Sequence, residues 1–197
     1  PYMSASQEHK YNVVLIDYGT KKNIIRELNK RGCNVAVVPY NTKAQDILSL
    51  NPDGIMLSNG PGDPKENVEA IEELKKLFGN VPIFAICLGH QLLALSQGGE
   101  TTKLKYGHRG VNQPVKNLET GRTYISSQNH GYAVVNEEIE KTGAKVSYIN
   151  ANDGTCEGVD YPGKNAFSVQ FHPEACSGPH DTRFIFDKFI EMMGGNK

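Results

Sequence analysis

The sequence has no apolar segment long enough to cross a bilayer. Its longest mainly apolar stretch, residues 82 to 95, reads PIFAICLGHQLLAL and is interrupted by glycine, histidine and glutamine. A membrane-spanning helix needs about 20 apolar residues. The polar first ten residues, PYMSASQEHK, also lack the apolar region of a signal peptide. We therefore expect a cytoplasmic protein without a membrane partner.

An excess of charge of one sign is also missing. The 197 residues include 21 Lys and Arg and 22 Asp and Glu, which gives a formal net charge of -1. No basic run is interleaved with aromatic residues, so nucleic acid is not expected as a partner. The phosphate-binding pattern GxxxxGK(S/T) is absent as well, and we expect no nucleotide cofactor on this chain.

Cysteines at metal-binding spacing are lacking too. The chain has Cys33, Cys87, Cys156 and Cys176, with no CxxC pair and no histidines at zinc-finger spacing. We therefore expect free thiols in a reducing compartment and no metal site.

What the sequence does contain is an alternation of short β-branched runs and amphipathic runs from residue 11 to residue 86. This alternation is typical of strands joined by helical crossovers. From residue 100 to residue 170 the pattern changes to short strands with Gly, Asn and Asp turns, which favours antiparallel additions. The sequence thus predicts an α/β fold with three layers: an open, mainly parallel sheet flanked by helices, with antiparallel additions.

Two helices between the predicted strands carry specific expectations. Thr42 is placed to cap a short helix that runs to residue 50. A second helix, from about residue 65 to 78, has Val68, Ile71, Leu74 and Leu77 at spacings of three, which predicts that they share a buried face.

Three segments that follow predicted strands combine unusual residue types. They are SNGPGDP at residues 58–64, CLGHQ at 87–91 and FHPEACSGPHD at 171–181. Ligands of open parallel sheets bind outside the carboxyl ends of the strands, so we expect these segments to meet at one edge.

Cys87 lies where a buried strand turns directly into a helix, between the small residues Ala85 and Gly89. Such a turn lifts a nucleophile above the sheet, and the helix N-terminus favours the thiolate. Taken alone, Cys87 is better interpreted as a buried structural cysteine, because that is the commoner case.

His172, Pro173 and Glu174 form the second element of the predicted site. Proline biases its neighbour towards extended backbone, so the histidine and glutamate side chains can project to the same side. The carboxylate can then orient the imidazole, and with Cys87 the set provides nucleophile, base and orienter. A plain loop turn with a satisfied surface histidine is the alternative.

The glycine-rich segment around Gly60 and Gly62 provides the third element. Glycine lets backbone N-H groups approach a substrate oxygen, and the N-H groups of Gly62 and Leu88 are candidates for an oxyanion hole. By itself the segment is also compatible with an ordinary turn.

These segments, in this order, resemble the class I (triad) glutamine amidotransferases over residues 11 to 193. CLGHQLLAL, KYGHRGVNQPV, SQNHGYAV and HPEACSGPHDT make the chain most similar to the amidotransferase domain of carbamoyl phosphate synthetase small chains. The resemblance implies a flavodoxin-like core, with residues 11–197 forming the amidotransferase domain. It also implies that residues 1–10 are the linker remnant from an N-terminal domain that is missing here and that contributes one serine to the glutamine site.

The resemblance further implies glutamine hydrolysis with Cys87 as nucleophile, His172 as proton carrier and Glu174 as orienter. The residues implied to contact glutamine are Gly60, Gly62, Leu88, Gln91, Asn129, Gly131 and Tyr132. Ammonia would pass to a carbamoyl phosphate synthetase large subunit, which would hold ATP and magnesium, so this domain needs no cofactor. Ala85 replaces the usual first glycine of the nucleophile turn, a modest change because alanine is small.

Three other functions stay open on the sequence. One is an amidotransferase that serves GMP, anthranilate or CTP synthesis, and another is a non-catalytic glutamine-binding regulatory domain. The third is an unrelated thiol hydrolase. Among the remaining histidines, His90 is expected to pack, while His108, His130 and His180 lie in loop-like motifs at the site edge or a partner interface.

Overall fold

The computed structural model describes residues 1–175 and 182–195. Its strands are β1 (Tyr2–Ser4), β2 (Tyr11–Asp17), β3 (Cys33–Pro39), β4 (Gly54–Leu57), β5 (Ile83–Ile86), β6 (Thr101–Asn117), β7 (Thr123–Val134), β8 (Lys145–Asn150), β9 (Cys156–Tyr161) and β10 (Ala166–Val169). Its α-helices are α1 (Lys22–Lys30), α2 (Ala44–Ser49), α3 (Val68–Leu77), α4 (Leu88–Ser96), α5 (Asn136–Glu140) and α6 (Ile185–Gly194), and a short 3-10 turn covers Pro64–Glu66.

All of these strands belong to one sheet in the order β1-β3-β2-β4-β5-β10-β9-β8-β6-β7. The five strands from β3 to β10 in that order pair in parallel, whereas β1 at one edge and β9, β8, β6 and β7 at the other are antiparallel. The predicted fold class is confirmed: a parallel centre is extended by antiparallel strands into a mixed sheet.

The sheet is covered on both faces, which gives the expected three layers. One apolar cluster packs α2, α3, α4 and α5 against the sheet, and a second packs α1 and α6 against the opposite face. The central strands β4, β5 and β10 are buried at every position, as expected for parallel strands with helices on both sides.

Three local predictions were wrong. Thr42 does not cap α2; its hydroxyl donates to the Pro39 carbonyl, and a carboxylate oxygen of Glu73 accepts from the Ala44 N-H at 2.7 Å instead. Val68, at the first position of α3, is 63% exposed rather than buried. The antiparallel half is not built only of short strands, since β6 has 17 residues and β7 has 12.

Residues 2 to 4 form the edge strand β1, whose Met3 pairs with Ala36 of β3. Within the part of the chain that the structure describes, no helix combines the length and apolar character needed to cross a membrane.

Candidate active site

Cys87 lies at the junction of β5 and α4 in a backbone conformation that non-glycine residues seldom adopt. Its φ is 52° and its ψ is -107°. The Cys87 N-H donates to the Val169 carbonyl at 2.9 Å, which fixes the turn against β10. Backbone strain of this kind persists only where the surroundings enforce it, and it concentrates at functional sites.

Small residues on both sides allow this turn, as the sequence predicted. Ala85 is fully buried, and a Cβ added to Gly89 would lie 2.7 Å from both the Cβ and the carbonyl oxygen of Leu57. The Gly89 N-H donates to the Ser58 carbonyl at 3.1 Å. The start of α4 therefore rests directly on the segment that follows β4, which joins the first two predicted loops.

The third loop brings His172 and Glu174 together beside Cys87. The Nδ1 atom of His172 lies 2.9 Å from Oε1 of Glu174, and both side chains are buried. Burial opposes charge on the imidazole, but hydrogen bonds with Cys87 and Glu174 outweigh it and raise the pKa of His172 to about 9. At neutral pH the His172 ring is therefore in its protonated, cationic form, and it lies beside the Cys87 sulfur.

Gln170 is a residue of the site that the sequence analysis missed. Its Nε2 donates to the Cys87 sulfur at 3.5 Å, and its Oε1 accepts from Gln91 Nε2 at 2.9 Å. Gln91 Nε2 also donates to the Tyr132 carbonyl at 2.9 Å. Gln170 follows β10 directly, so the rule that selected the other segments by their place after a strand would also have found it.

A cleft of about 530 Å³ opens over Cys87. The predicted site residues that line it are Gly60, Gly62, Cys87, Gln91, Asn129, Gly131, Tyr132 and His172. Leu88 and Glu174 do not line it and are buried behind it. The structure thus brings the predicted residues from four separate segments to one edge of the sheet.

The cleft also contains charged residues to which the sequence analysis assigned no role. Lys21, Lys103 and Arg109 line it together with Asp63. Lys21 immediately precedes α1, and the other two basic residues come from β6. Because Lys103 and Arg109 reach the cleft through the long hairpin of β6 and β7, spacing along the sequence did not predict that they meet there.

Within the described residues, the backbone N-H groups of Gly62 and Leu88 have no protein acceptor, although only Gly62 lines the cleft. Gly62 has a φ of 95°, and a Cβ at Gly60 would collide with the Tyr18 carbonyl. Glycine is therefore required at both positions of the segment.

The other histidines and cysteines behave as follows. Burial lowers the pKa of His90 to about 3, and its Nδ1 lies 2.7 Å from the Ser168 hydroxyl, so the prediction that it packs is confirmed. Burial raises the pKa of the Cys33 and Cys156 thiols to about 12.

His108 and His130 lie in paired strands, which corrects the expectation that they lie in loop-like motifs. Cys176 and His180 lie outside the described residues.

An open α/β sheet with a strained cysteine between a strand and a helix defines the class of proteins that carry a nucleophile elbow. Within that class, the chain belongs to the glutamine amidotransferase class-I family, whose model matches residues 14–192. The family resemblance stated from the sequence is therefore confirmed.

Curated relatives indicate a more specific similarity within this family. The chain is 58% identical, over 98% of its length, to the carbamoyl phosphate synthase small chain of Bacillus cereus. It is 53% identical, over 100% of its length, to the protein of the same name from Staphylococcus saprophyticus. These alignments cover 52% and 53% of the two relatives, so the chain spans about half the length of the curated relatives it matches.

Solved structures share the fold at much lower identity. A structure assigned to the A subunit of a GMP synthase in Thermoplasma acidophilum matches with a TM-score of 0.82 and 21% identity, over 96% of this chain and 97% of that one. A glutamine amidotransferase from Thermotoga maritima matches with a TM-score of 0.66 and 19% identity, over 96% and 86% of the two chains.

Proposed function

We propose that this chain hydrolyses the side-chain amide of L-glutamine to glutamate and ammonia through a thioester on Cys87. The observation that carries the proposal is the grouping of Cys87, His172 and Glu174 at one cleft, with the cysteine held in a strained turn. Such a grouping supplies a nucleophile, a proton carrier and an orienter.

The proposed reaction begins when the Cys87 sulfur, whose proton is held by His172, attacks the amide carbon of glutamine. The carbon-nitrogen bond then breaks, and His172 gives its proton to the departing ammonia. Water attacks the resulting thioester while His172 takes a proton from it, and the carbon-sulfur bond breaks to release glutamate. Glu174 accepts from Nδ1 of His172, so Nε2 is the nitrogen that exchanges protons with the reactants.

The cleft offers partners for the charges that the substrate carries. In the tetrahedral intermediate, the N-H groups of Gly62 and Leu88 would hold the oxyanion, an interaction whose loss typically costs 10²–10³-fold in rate, roughly. Gly60, Gln91, Asn129, Gly131 and Tyr132 would contact the remainder of glutamine. The basic side chains in the cleft match the α-carboxylate of the substrate.

The proposed partner is a carbamoyl phosphate synthetase large subunit that receives the ammonia. Identities of 53–58% to carbamoyl phosphate synthase small chains favour this partner over the synthetases of GMP, anthranilate or CTP. In this proposal ATP and magnesium are bound by the large subunit, and no step on the present chain uses a cofactor.

The deciding experiment measures ammonia release from glutamine by the wild type and by Cys87→Ala. We expect the variant to lose the activity, because no other sulfur faces the cleft among the described residues. Cys156→Ala is the matched control: it also removes a buried free thiol, but one in β9 outside the cleft, and should retain activity.

Labelling with a glutamine-like chloroketone gives an independent measurement. Peptide mapping over all four cysteines should find the label on Cys87, since burial keeps Cys33 and Cys156 protonated. Equal ammonia release by wild type and Cys87→Ala, or a label on another cysteine, would refute the proposed nucleophile.

A further inference from the structure

At the wall of the cleft, two histidines and a glutamate from different strands are buried together. They are His108 of β6, His130 of β7 and Glu157 of β9, and their ligand atoms all lie within 4.8 Å of one another. Oε1 of Glu157 lies 3.1 Å from His108 Nδ1 and 3.9 Å from His130 Nε2. The cluster plays no part in the proposed hydrolysis.

The ring nitrogens on the far side of both histidines are engaged with oxygens. His108 Nε2 lies 2.7 Å from Oδ2 of Asp153, and His130 Nδ1 lies 2.7 Å from the Tyr132 carbonyl. A carbonyl oxygen only accepts hydrogen bonds, so Nδ1 of His130 carries the hydrogen. In the neutral ring, the other nitrogen, Nε2, then carries a lone pair.

That lone pair faces oxygen atoms instead of a donor. Oε1 of Gln128 lies 2.8 Å from His130 Nε2. Rotating the Gln128 amide would place its oxygen against the Ser126 hydroxyl, which already donates to the Gln113 carbonyl at 2.8 Å. In addition, Oε2 of Glu157 is buried and makes no hydrogen bond of good geometry, although the amide of Asn150 lies beside this carboxyl. A cation between these acceptors would satisfy them.

We propose that this cluster binds a divalent transition metal ion, with His108 Nδ1, His130 Nε2 and Glu157 Oε1 as ligands. Two imidazoles and a carboxylate form a donor set that zinc uses in proteins. Ligand atoms of a tetrahedral zinc ion lie about 3.3 Å apart, given zinc-ligand bonds of about 2.0–2.1 Å. Around such an ion the distance of 3.1 Å would lengthen slightly and that of 3.9 Å would shorten, while the two histidine nitrogens, which lie within 4.8 Å of each other, would also draw together.

The groups around the ligands match this assignment. Metal-bound histidines nearly always donate their other N-H to a carboxylate or a backbone carbonyl. Asp153 and the Tyr132 carbonyl occupy these two positions, and Oε1 of Gln128 supplies a fourth oxygen near the ion. The sequence predicted no metal site because the three ligands are far apart along the chain. Only the pairing of His108 with His130 across β6 and β7 brings them together.

A metal ion here would stiffen one wall of the cleft, since His130 and Tyr132 both line it. The competing occupant is a proton shared between His108 and Glu157, which would satisfy the same two atoms. The metal proposal does not depend on the proposed glutaminase, and its readout is metal binding rather than ammonia release.

The test uses the full-length chain with Cys87→Ser, so that the cleft thiol cannot bind the metal. The protein is stripped with a chelator and titrated with Co²⁺ by absorption spectroscopy and with Zn²⁺ by calorimetry. We expect one equivalent to bind, with the visible cobalt bands of a low-coordinate site and no sulfur-to-metal band.

Two variants identify the site. Asp153→Asn should weaken binding by about 10–100-fold, the usual effect of losing a group that orients a histidine ligand. Glu157→Gln should abolish stoichiometric binding. Asp153 is exposed, so its variant should fold, and Asp46→Asn on the surface of α2 is the matched control. Absence of binding, or equal binding by wild type and Asp153→Asn, would overturn the metal site in favour of the shared proton.

Discussion

At the scale of single residues, Cys87 and His172 are each held by one backbone and one side-chain partner. Cys87 keeps its unusual φ because its N-H is fixed to Val169, and its sulfur accepts from Gln170. His172 is fixed by a hydrogen bond from its own N-H to the Ser127 carbonyl at 2.9 Å and by Glu174. The triad pattern could be predicted because its residue types are chemically distinctive. Gln170 was missed because an amide beside a sulfur has no comparable signature.

Glu174→Gln should lower the rate of ammonia release by roughly 10²–10⁴-fold, the usual contribution of a positioned acid or base. Burial lowers the pKa of His172, but its hydrogen bonds with Cys87 and Glu174 raise it to about 9. Without the carboxylate charge, less of the effect of burial is offset, so the pKa of His172 should fall. Because His172 must hold a proton for the departing ammonia, activity should then decline at a lower pH than in the wild type.

The measurement for this variant is the pH profile of ammonia release, with Glu140→Gln as a control on the exposed end of α5. An alkaline limb at the same pH in wild type and Glu174→Gln would show that Glu174 does not set the protonation of His172.

At the scale of elements, the site depends on how closely α4 approaches β4. Parallel strands place their carboxyl ends at one edge, which is why segments chosen by position after a strand met in the structure. The long hairpin of β6 and β7 was not predicted, because bulges between Lys103 and His108 and between Gly110 and Gln113 break its alternation. The basic residues it carries into the cleft, and the pairing of His108 with His130, were missed for the same reason.

Gly89→Ala tests the contact between α4 and the segment after β4. The added methyl group would lie 2.7 Å from the Leu57 backbone, which cannot rotate away. Overpacking of this kind typically costs about 1–3 kcal/mol, and the displaced helix start would also move Cys87, so activity should fall with stability. Urea unfolding and ammonia release measure the two effects.

The matched control for this change is Gly195→Ala, at the end of α6. Its φ is -70°, and an added Cβ would lie 3.5 Å from the nearest atom, an ordinary contact. This variant should keep the wild-type stability and activity. A Gly89→Ala protein as stable and active as the control would show that the approach of α4 to Leu57 is not required.

At the scale of the whole molecule, contacts between distant parts of the chain join α1 to α6. Glu27 of α1 is 4% exposed, and its carboxylate accepts from Arg31 at 2.7 Å and from Lys30 at 3.0 Å. Arg31 also donates to Asp187 of α6 at 2.7 Å and lies 5.4 Å from the centre of the Phe186 ring. The pair of Arg31 and Asp187 spans 156 positions of the chain, so the periodicity of the sequence gives no signal for it.

Glu27→Gln should therefore destabilise the fold more than Asp187→Asn does. Removing the buried carboxylate leaves Arg31 without its inner partner, which should cost about 1–3 kcal/mol. The carboxylate of Asp187 is 60% exposed, so its loss should cost less than about 1 kcal/mol. Burial opposes the charge on Glu27, but hydrogen bonds from Arg31 and Lys30 prevail and hold the pKa of this carboxyl below 4.5.

A carboxyl whose pKa is lowered in the folded state stabilises the fold at pH values above its unfolded pKa. This contribution is lost as the pH falls through the folded pKa. The difference in the free energy of unfolding between wild type and Glu27→Gln should therefore be largest at neutral pH and shrink as the pH drops below 4.5. Urea unfolding of wild type and both variants at pH 7 and in this acidic range measures it. Equal losses for the two variants, or a Glu27→Gln difference that does not change with pH, would show that Glu27 does not anchor Arg31 between the first and last helices.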